Sequence, residues 1–339
     1  MTVFRGTISV IRTVVVELEQ DGLKGYGEAY EDQHWGVTVE DMVNQIESYR
    51  EVIQRYAFAD PFAFNRLIQN LIRKYPYAAT ALEMAACDLW GKLHNMPLRR
   101  IWGFDGSSSA LKSSYTLGLD SIYRVIEKFK EQPNWPLYRV KLGSHEDMTI
   151  LRELRARTDS PFRLDVNGCW TLQQTLEYLD ELKSLNIELI EQPLHQDDWE
   201  GMKRLRKECD KYGIPLIADE SCRCERDLEK CVGFFHGVNL KPIKFGGLLP
   251  TKKLVIRARE LGFKVMIGNT IESVISASAT SQFVPMIDYA YIDGPLLVDP
   301  TLMGNQKFGR GVELKDGSIV FSSENGIGYV APSKAVERT

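Results

Sequence analysis

Eight short apolar runs recur at a nearly constant spacing over residues 114–292, and this period constrains the fold more than any other feature of the chain. The runs lie at 114–117, 138–142, 162–166, 189–191, 215–218, 237–240, 264–267 and 289–292. Taken at mid-run, residues 115, 139, 164, 190, 217, 239, 266 and 291 are separated by steps of 22 to 27 residues. Amphipathic helical patterns lie between them, for example at 147–157, 172–185, 199–211, 226–232 and 250–261. Short strands alternating with helices at a steady period mean parallel β/α units. Eight such units close most naturally into a barrel. An open doubly wound sheet is the alternative, but no run is followed by a Gly-rich phosphate fingerprint. Gly246-Gly247 is only a pair, of the kind that shapes a strand-to-helix turn.

The flanks read differently. Residues 13–19 are β-rich, 20–25 carry turn chemistry, and 26–30 resume an extended run. Helical periods follow at 40–54, 62–74 and 78–93, the last rich in Ala, Leu, Met and Glu and expected to pack tightly. The tail from about residue 302 is Gly-rich and holds short hairpin pieces. A hairpin cannot extend a closed barrel, so it is expected to return to the N-terminal strands. With 44% hydrophobic and 26% charged residues the 339-residue chain is neither disordered nor low-complexity. A net charge of −4 leaves no basic field for a nucleic-acid backbone. The longest apolar stretches, such as 214–218 and 232–235, fall far short of the roughly 20 residues of a membrane span. The first residues show no basic segment leading to a small-residue cleavage site. Six cysteines follow no disulfide, zinc or redox spacing, and the expectation is a cytoplasmic protein with reduced thiols acting on a small molecule.

In a parallel barrel the chemistry sits at the C-terminal ends of the strands. Six of the eight runs end in, or lead straight into, a charge: Arg139-Val-Lys141, Asp165-Val-Asn167, Glu191, Asp219, Lys241 and Asp293. Asp165, Glu191 and Asp219 come from consecutive runs and are therefore neighbours around the ring. Three carboxylates without His or Cys suit a hard cation, Mg²⁺ or Mn²⁺, rather than zinc. The alternative is that each acid pairs separately with an Arg or Lys at the rim. Arg139 and Lys141 are two apart on one strand and share the interior face. Lys241 enters from the opposite side. Two lysines facing each other over a cation are suited to moving a proton on either face of one carbon, with Arg139 expected to weaken the hold of Lys141 on its proton. Salt bridging of both lysines to the acids is the bland alternative.

With these residues in place the chain resembles the enolase superfamily. The matching motifs are Arg139-Val-Lys141, Asp165-Val-Asn167, Glu191-Gln-Pro193, Ala218-Asp-Glu-Ser221 and Leu240-Lys-Pro-Ile-Lys-Phe-Gly-Gly247. Gly25-Tyr-Gly-Glu28 and the segment 85–92 resemble the family's capping domain. The resemblance implies an α/β fold: a modified TIM barrel, (β/α)7β, over 113–299, with an α+β capping domain built from 1–112 and 300–339 as the substrate lid. Lysines on both sides of the barrel point to the muconate lactonising branch, and 114–120 together with 291–297 resemble its dipeptide epimerases. The implied activity is Mg²⁺-dependent epimerisation by 1,1-proton transfer α to a carboxylate, through a metal-stabilised enediolate. Asp165, Glu191 and Asp219 would hold the metal, and Lys141 and Lys241 would exchange acid and base roles. Arg139, Asn167, Tyr291 and Asp293 would contact substrate. The family commonly forms homo-oligomers. Other readings are a cycloisomerase, an o-succinylbenzoate synthase-like lyase or an N-acylamino acid racemase of the same branch, and an inactive barrel with a binding role. A sugar-acid dehydratase would want a His at the mouth, and His195 and His236 are not at strand ends.

Three departures from the pattern stand out. Arg139 replaces the leading lysine of Lys-x-Lys. Tyr291 replaces the first acid of an Asp-x-Asp pair that receives the ammonium of a dipeptide, leaving Asp293. A tyrosine there stacks on a cation, or fills the space and excludes a free amine, while Asp293 also suits a turn cap before Gly294-Pro295. The chain starts late for the family, so residues 1–8 are expected to supply the closing loop, with Arg5 in reach of substrate. Tyr26, His34 and Trp35 lie in the other lid region. Glu272 either faces the mouth or sits as an acid at a helix N-terminus.

Overall fold

The computed structural model describes residues 2–3, 6–7, 10–33, 35–72, 76–105, 108–298 and 309–332. Arg5 and His34 lie outside the described residues. The chain opens on a minimal antiparallel pair, β1 (Thr2–Val3) and β2 (Gly6–Thr7). A hairpin follows, β3 (Thr13–Gln20) and β4 (Leu23–Tyr30), paired from Thr13 opposite Tyr30 to Gln20 opposite Leu23. Its two-residue turn, Asp21-Gly22, has φ of 54° and 75°, the left-handed pair that matches strand twist. The helical period read over 40–54 is two helices, Val39–Ser48 and Arg50–Gln54, because Tyr49 leaves helical geometry at φ −115°, ψ 11°.

Helix Pro76–Leu93 is buried along almost its whole length and lies across β4. The sequence of β4 explains how a helix can come so close. A Cβ on Gly25 would collide with the Ala85 carbonyl, and one on Gly27 with the Ala81 carbonyl. On the helix side the contact face is alanine, so backbone meets backbone. Val14, Val16, Ala29, Met42, Phe64, Ile68 and Leu82 complete this core.

β5 (Ser108–Lys112) precedes eight strands in the order of the eight runs: β6 (Tyr115–Leu117), β7 (Tyr138–Lys141), β8 (Phe162–Asp165), β9 (Ile187–Glu191), β10 (Leu216–Ala218), β11 (Gly237–Asn239), β12 (Lys264–Gly268) and β13 (Tyr289–Tyr291). Sequential neighbours are hydrogen-bonded and parallel throughout. The ring closes where Ser113 bridges Ala290 in parallel and the Ser114 N–H donates to the Ala290 carbonyl at 3.3 Å. Helices connect each strand to the next, giving the expected (β/α)7β barrel.

The tail departs from expectation. Its hairpin, β14 (Glu313–Lys315) and β15 (Ser318–Val320), pairs with β5, not with β3 or β4. β5 offers its edge to β15, so the hairpin extends β5 into a three-stranded sheet. Among the described residues, the segment 326–329 meets the N-terminal layer: the Ile327 N–H donates to Asp88 of helix Pro76–Leu93 at 2.9 Å, and Tyr329 meets Tyr26 of β4 edge-on at 5.4 Å.

Two buried acids fasten the N-terminal layer to the barrel. Glu28 of β4 accepts from the Ser273 N–H, the Ser276 N–H and the Ser273 hydroxyl, capping helix Val274–Ser281 from another part of the chain. Glu83 accepts from the Leu248 and Leu249 N–H groups at 2.5 and 2.8 Å, capping helix Leu248–Glu260. Gly247 makes room for it: at φ 130° no L-residue is comfortable, and a Cβ there would collide with the Glu83 carboxylate. The Gly-Gly pair is therefore a seat for Glu83 as well as a turn.

Candidate active site

A cavity of about 600 Å³ lies at the C-terminal mouth of the barrel, under Tyr30, Trp35 and Tyr77 of the N-terminal layer. Strand register sets the charged layer beneath it; of the three predicted acids Asp219 lines the cavity, while Asp165 and Glu191 are fully buried. Lys141 of β7, Asp165 of β8 and Glu191 of β9 are direct Cα partners, so parallel pairing places all three in one layer. Asp219 follows β10, and Lys241 follows β11 from the far side.

Gln192 holds the Asp219 turn. With φ at 40°, its side chain turns back so that its oxygen accepts from the Asp219 and Ser221 N–H groups at 3.1 and 3.0 Å, while its amide donates to Ser221 Oγ at 2.9 Å. The Glu-Gln-Pro and Asp-Glu-Ser motifs are thus two halves of one clamp. Asn167, also left-handed at φ 49°, donates to Glu220 at 3.0 Å and accepts from Lys141 at 3.4 Å.

Cations bond both oxygens of Asp219 and one oxygen each of Asp165 and Glu191. Arg139 Nη2 donates to Asp165 at 2.5 Å and to Glu191 at 2.7 Å, and Nε reaches Glu191 at 3.0 Å. Lys141 meets Asp165 at 2.9 Å and Lys241 meets Asp219 at 2.8 Å. Lys244 bonds the other Asp219 oxygen. Burial pushes all three acids up, and their neighbours then separate them. Arg139 and Lys141 outweigh burial at Asp165 and hold it below the usual carboxylate range. Lys241 and Lys244 do the same, more strongly, at Asp219. Glu191 has Arg139 but also feels Asp165 and Asp219, and is pushed up to about 7. Burial works against the charged form of Lys241, but Asp219, Tyr291 and Glu191 win and keep it firmly protonated.

Among the described residues no three acids are already spaced around a metal-sized void. The donor chemistry nevertheless fits a hard divalent cation: three buried carboxylates repel one another, and Asp165 Oδ1 has no hydrogen-bond partner. Asn167, Lys141, Asp219 and Lys241 line the cavity. Arg139 and Tyr291 do not: they lie beneath it, 4% and 2% exposed. Asp293 is also inside, its carboxylate accepting from the Thr116 N–H at 2.6 Å. Glu272 is buried, accepting from Asn269 and the Thr270 N–H. Sequence reasoning passed over Lys244, Gln192, Glu220 and Asn239. The first three stand inside the matching motifs, where Lys244 lies three residues after Lys241 and so one helical turn away.

Residues 1–103 match the mandelate racemase/muconate lactonizing enzyme N-terminal domain, and residues 123–334 match the enolase C-terminal domain-like family. The chain belongs to the enolase superfamily. Among curated relatives of this superfamily member, an L-Ala-D/L-amino acid epimerase of Maribacter sp. is 37% identical over 93% of the chain and 90% of the relative. One from Flavobacterium johnsoniae is 36% identical over 96% and 94%. These relatives place the chain among isomerases acting on amino-acid derivatives. Among solved structures, a dipeptide epimerase from Cytophaga hutchinsonii, complexed with Mg and D-Ala-L-Val, superposes with a TM-score of 0.84 at 21% identity, covering 95% of this chain and 89% of the other. It shares the fold. In the described residues no helix is long and apolar enough to cross a membrane.

Proposed function

We propose that this enolase-superfamily member epimerises a dipeptide at the carbon α to its carboxylate, with Lys141 and Lys241 as the proton-transfer pair. The observation that carries the reading is their placement: both line the cavity, from β7 and from beyond β11, and each is held on a different acid of one carboxylate set. Asp165, Glu191 and Asp219 would hold Mg²⁺, which supplies charge stabilisation to the substrate carboxylate as its α-proton leaves. Lys141 takes the proton on one face. Lys241, kept protonated by Asp219, delivers one to the other, and the roles reverse for the opposite stereoisomer. Residues 1–112 with 300–339 act as the lid unit over a 113–299 barrel.

A second reading is favoured by one observation. Asp293 is engaged with Thr116, and Tyr291 lies below the cavity, so the barrel offers no acid there to a free ammonium. That suits an N-acylated amino acid. The experiment is exchange in D₂O with Mg²⁺ on pooled dipeptides and N-acylamino acids, followed by mass spectrometry. Deuterium at one α-carbon is expected, with a rate loss of about 10²–10⁴-fold in Lys141→Ala and Lys241→Ala. The substrate that exchanges decides between the readings. Absence of exchange on every compound would sink both.

A further inference from the structure

Tyr291 and Arg139 are two of the departures from the superfamily motifs noted in the sequence, and in the structure they touch. The Arg139 guanidinium carbon stands 4.2 Å from the centroid of the Tyr291 ring. Lys241 Nζ is 6.0 Å from the same centroid. The tyrosine hydroxyl accepts from Asn239 Nδ2 at 2.8 Å, and the same amide donates to Glu191 Oε1 at 2.6 Å. Arg139 holds the other oxygen of Glu191 and bridges to Asp165. The contacts form a closed circuit: ring face to Arg139, Arg139 to Glu191, Glu191 to Asn239, Asn239 to the tyrosine hydroxyl. Gly268 makes it possible. It is the direct Cα partner of Tyr291 in the β12–β13 ladder, and a Cβ there would run into the ring.

We propose that Tyr291 is a positioning residue for the metal-ligand carboxylates, holding Arg139 by its face and Asn239 by its hydroxyl so that Glu191 and Asp165 stay in one fixed orientation. This deepens the proposed function and rests on its assignment of those acids as metal ligands. A guanidinium stacked on a ring keeps its in-plane N–H donors free for carboxylates, which is why this site needs arginine. A lysine ammonium is a point charge and cannot stack on Tyr291 while bridging two acids. Arg139 and Tyr291 therefore form one device. In it the cation partner of the tyrosine is the protein's own arginine, not a group on the substrate.

The test uses the full chain and Mg²⁺ alone as the probe. Calorimetric Mg²⁺ affinity, thermal unfolding, and kcat and KM on the exchanging substrate are measured for the parent, Tyr291→Phe, Tyr291→Leu, Arg139→Lys and the Arg139→Lys/Tyr291→Leu double variant. Tyr291→Leu and Arg139→Lys should each weaken Mg²⁺ binding about 10–100-fold. Tyr291→Phe, which keeps the ring and loses the Asn239 bond, should fall between them and the parent. The double variant should be no worse than the weaker single, because each change breaks the same circuit. The loss should fall on kcat more than on KM. A folded Tyr291→Leu enzyme with parental Mg²⁺ affinity, or losses that multiply in the double variant, would overturn the proposal and leave the proposed function standing. A parent that binds no Mg²⁺ would overturn both.

Discussion

Replacing Glu83 by Gln tests whether a titrating carboxylate fastens the N-terminal layer to the barrel. Glu83 is fully buried, caps helix Leu248–Glu260 with both oxygens, and has its pKa pushed up from 4.5 to about 7 by burial. Because the folded value lies above the unfolded one, the favourable contribution is complete below pH 4.5 and is lost as pH rises through 7. At 1.36 kcal/mol per unit, the cost of holding Glu83 in the fold grows from about 0.8 kcal/mol at pH 5 to about 3.3 kcal/mol at pH 8. Glutamine escapes that cost, but its amide can accept only one of the two N–H groups and turns a donor toward the other. One buried N–H then goes unpaired, at roughly 1–3 kcal/mol whatever the pH. All other titrations are shared by the two proteins and cancel in the difference. Glu83→Gln should therefore be destabilising at pH 5 and neutral or stabilising at pH 8, the gap between variant and parent moving by about 2.5 kcal/mol. Urea unfolding of both proteins at the two pH values measures it. A difference that is the same at pH 5 and pH 8 would refute the reasoning.

Gly27→Ala should cost about 1–3 kcal/mol by overpacking, since its Cβ meets the Ala81 carbonyl of a helix that cannot retreat; denaturant midpoints check it. Asp88→Asn should loosen the tail, because the carboxylate accepts from the Ile327 and Tyr26 N–H groups and pairs with Lys92; faster protease cleavage within 309–332 is the readout. Mg²⁺ at 100 times its dissociation constant should stabilise the parent by about 2.7 kcal/mol and leave Asp165→Asn unmoved, as seen by thermal unfolding in Mg²⁺ and in chelator.

Much of the site was legible because strand geometry is local. A period near 25 residues announces β/α units, alternation puts Arg139 and Lys141 on one face, and parallel register lines up Lys141, Asp165 and Glu191. Helix ends were less so: Tyr49 interrupts one helical period, and the next helix, capped by Asp60, starts at Pro61, a residue before the pattern read from 62. The role of Gln192 was hidden because it acts on residues 27 and 29 positions away.

The sequence alone determined that this chain builds a (β/α)7β barrel with carboxylates and lysines at one mouth, since period, alternation and strand-end charges are set by neighbours a few residues apart. Only the tertiary structure decided what those charges do to one another. Arg139 and Tyr291 lie 152 positions apart by number, and nothing local says that a glycine on the adjacent strand opens the space for the ring between them. The same holds for Glu83 at Leu248, Glu28 at Ser273 and the tail on β5. A buried charge is worth what its partners make it, and in a barrel those partners arrive from strands and helices that only folding brings together.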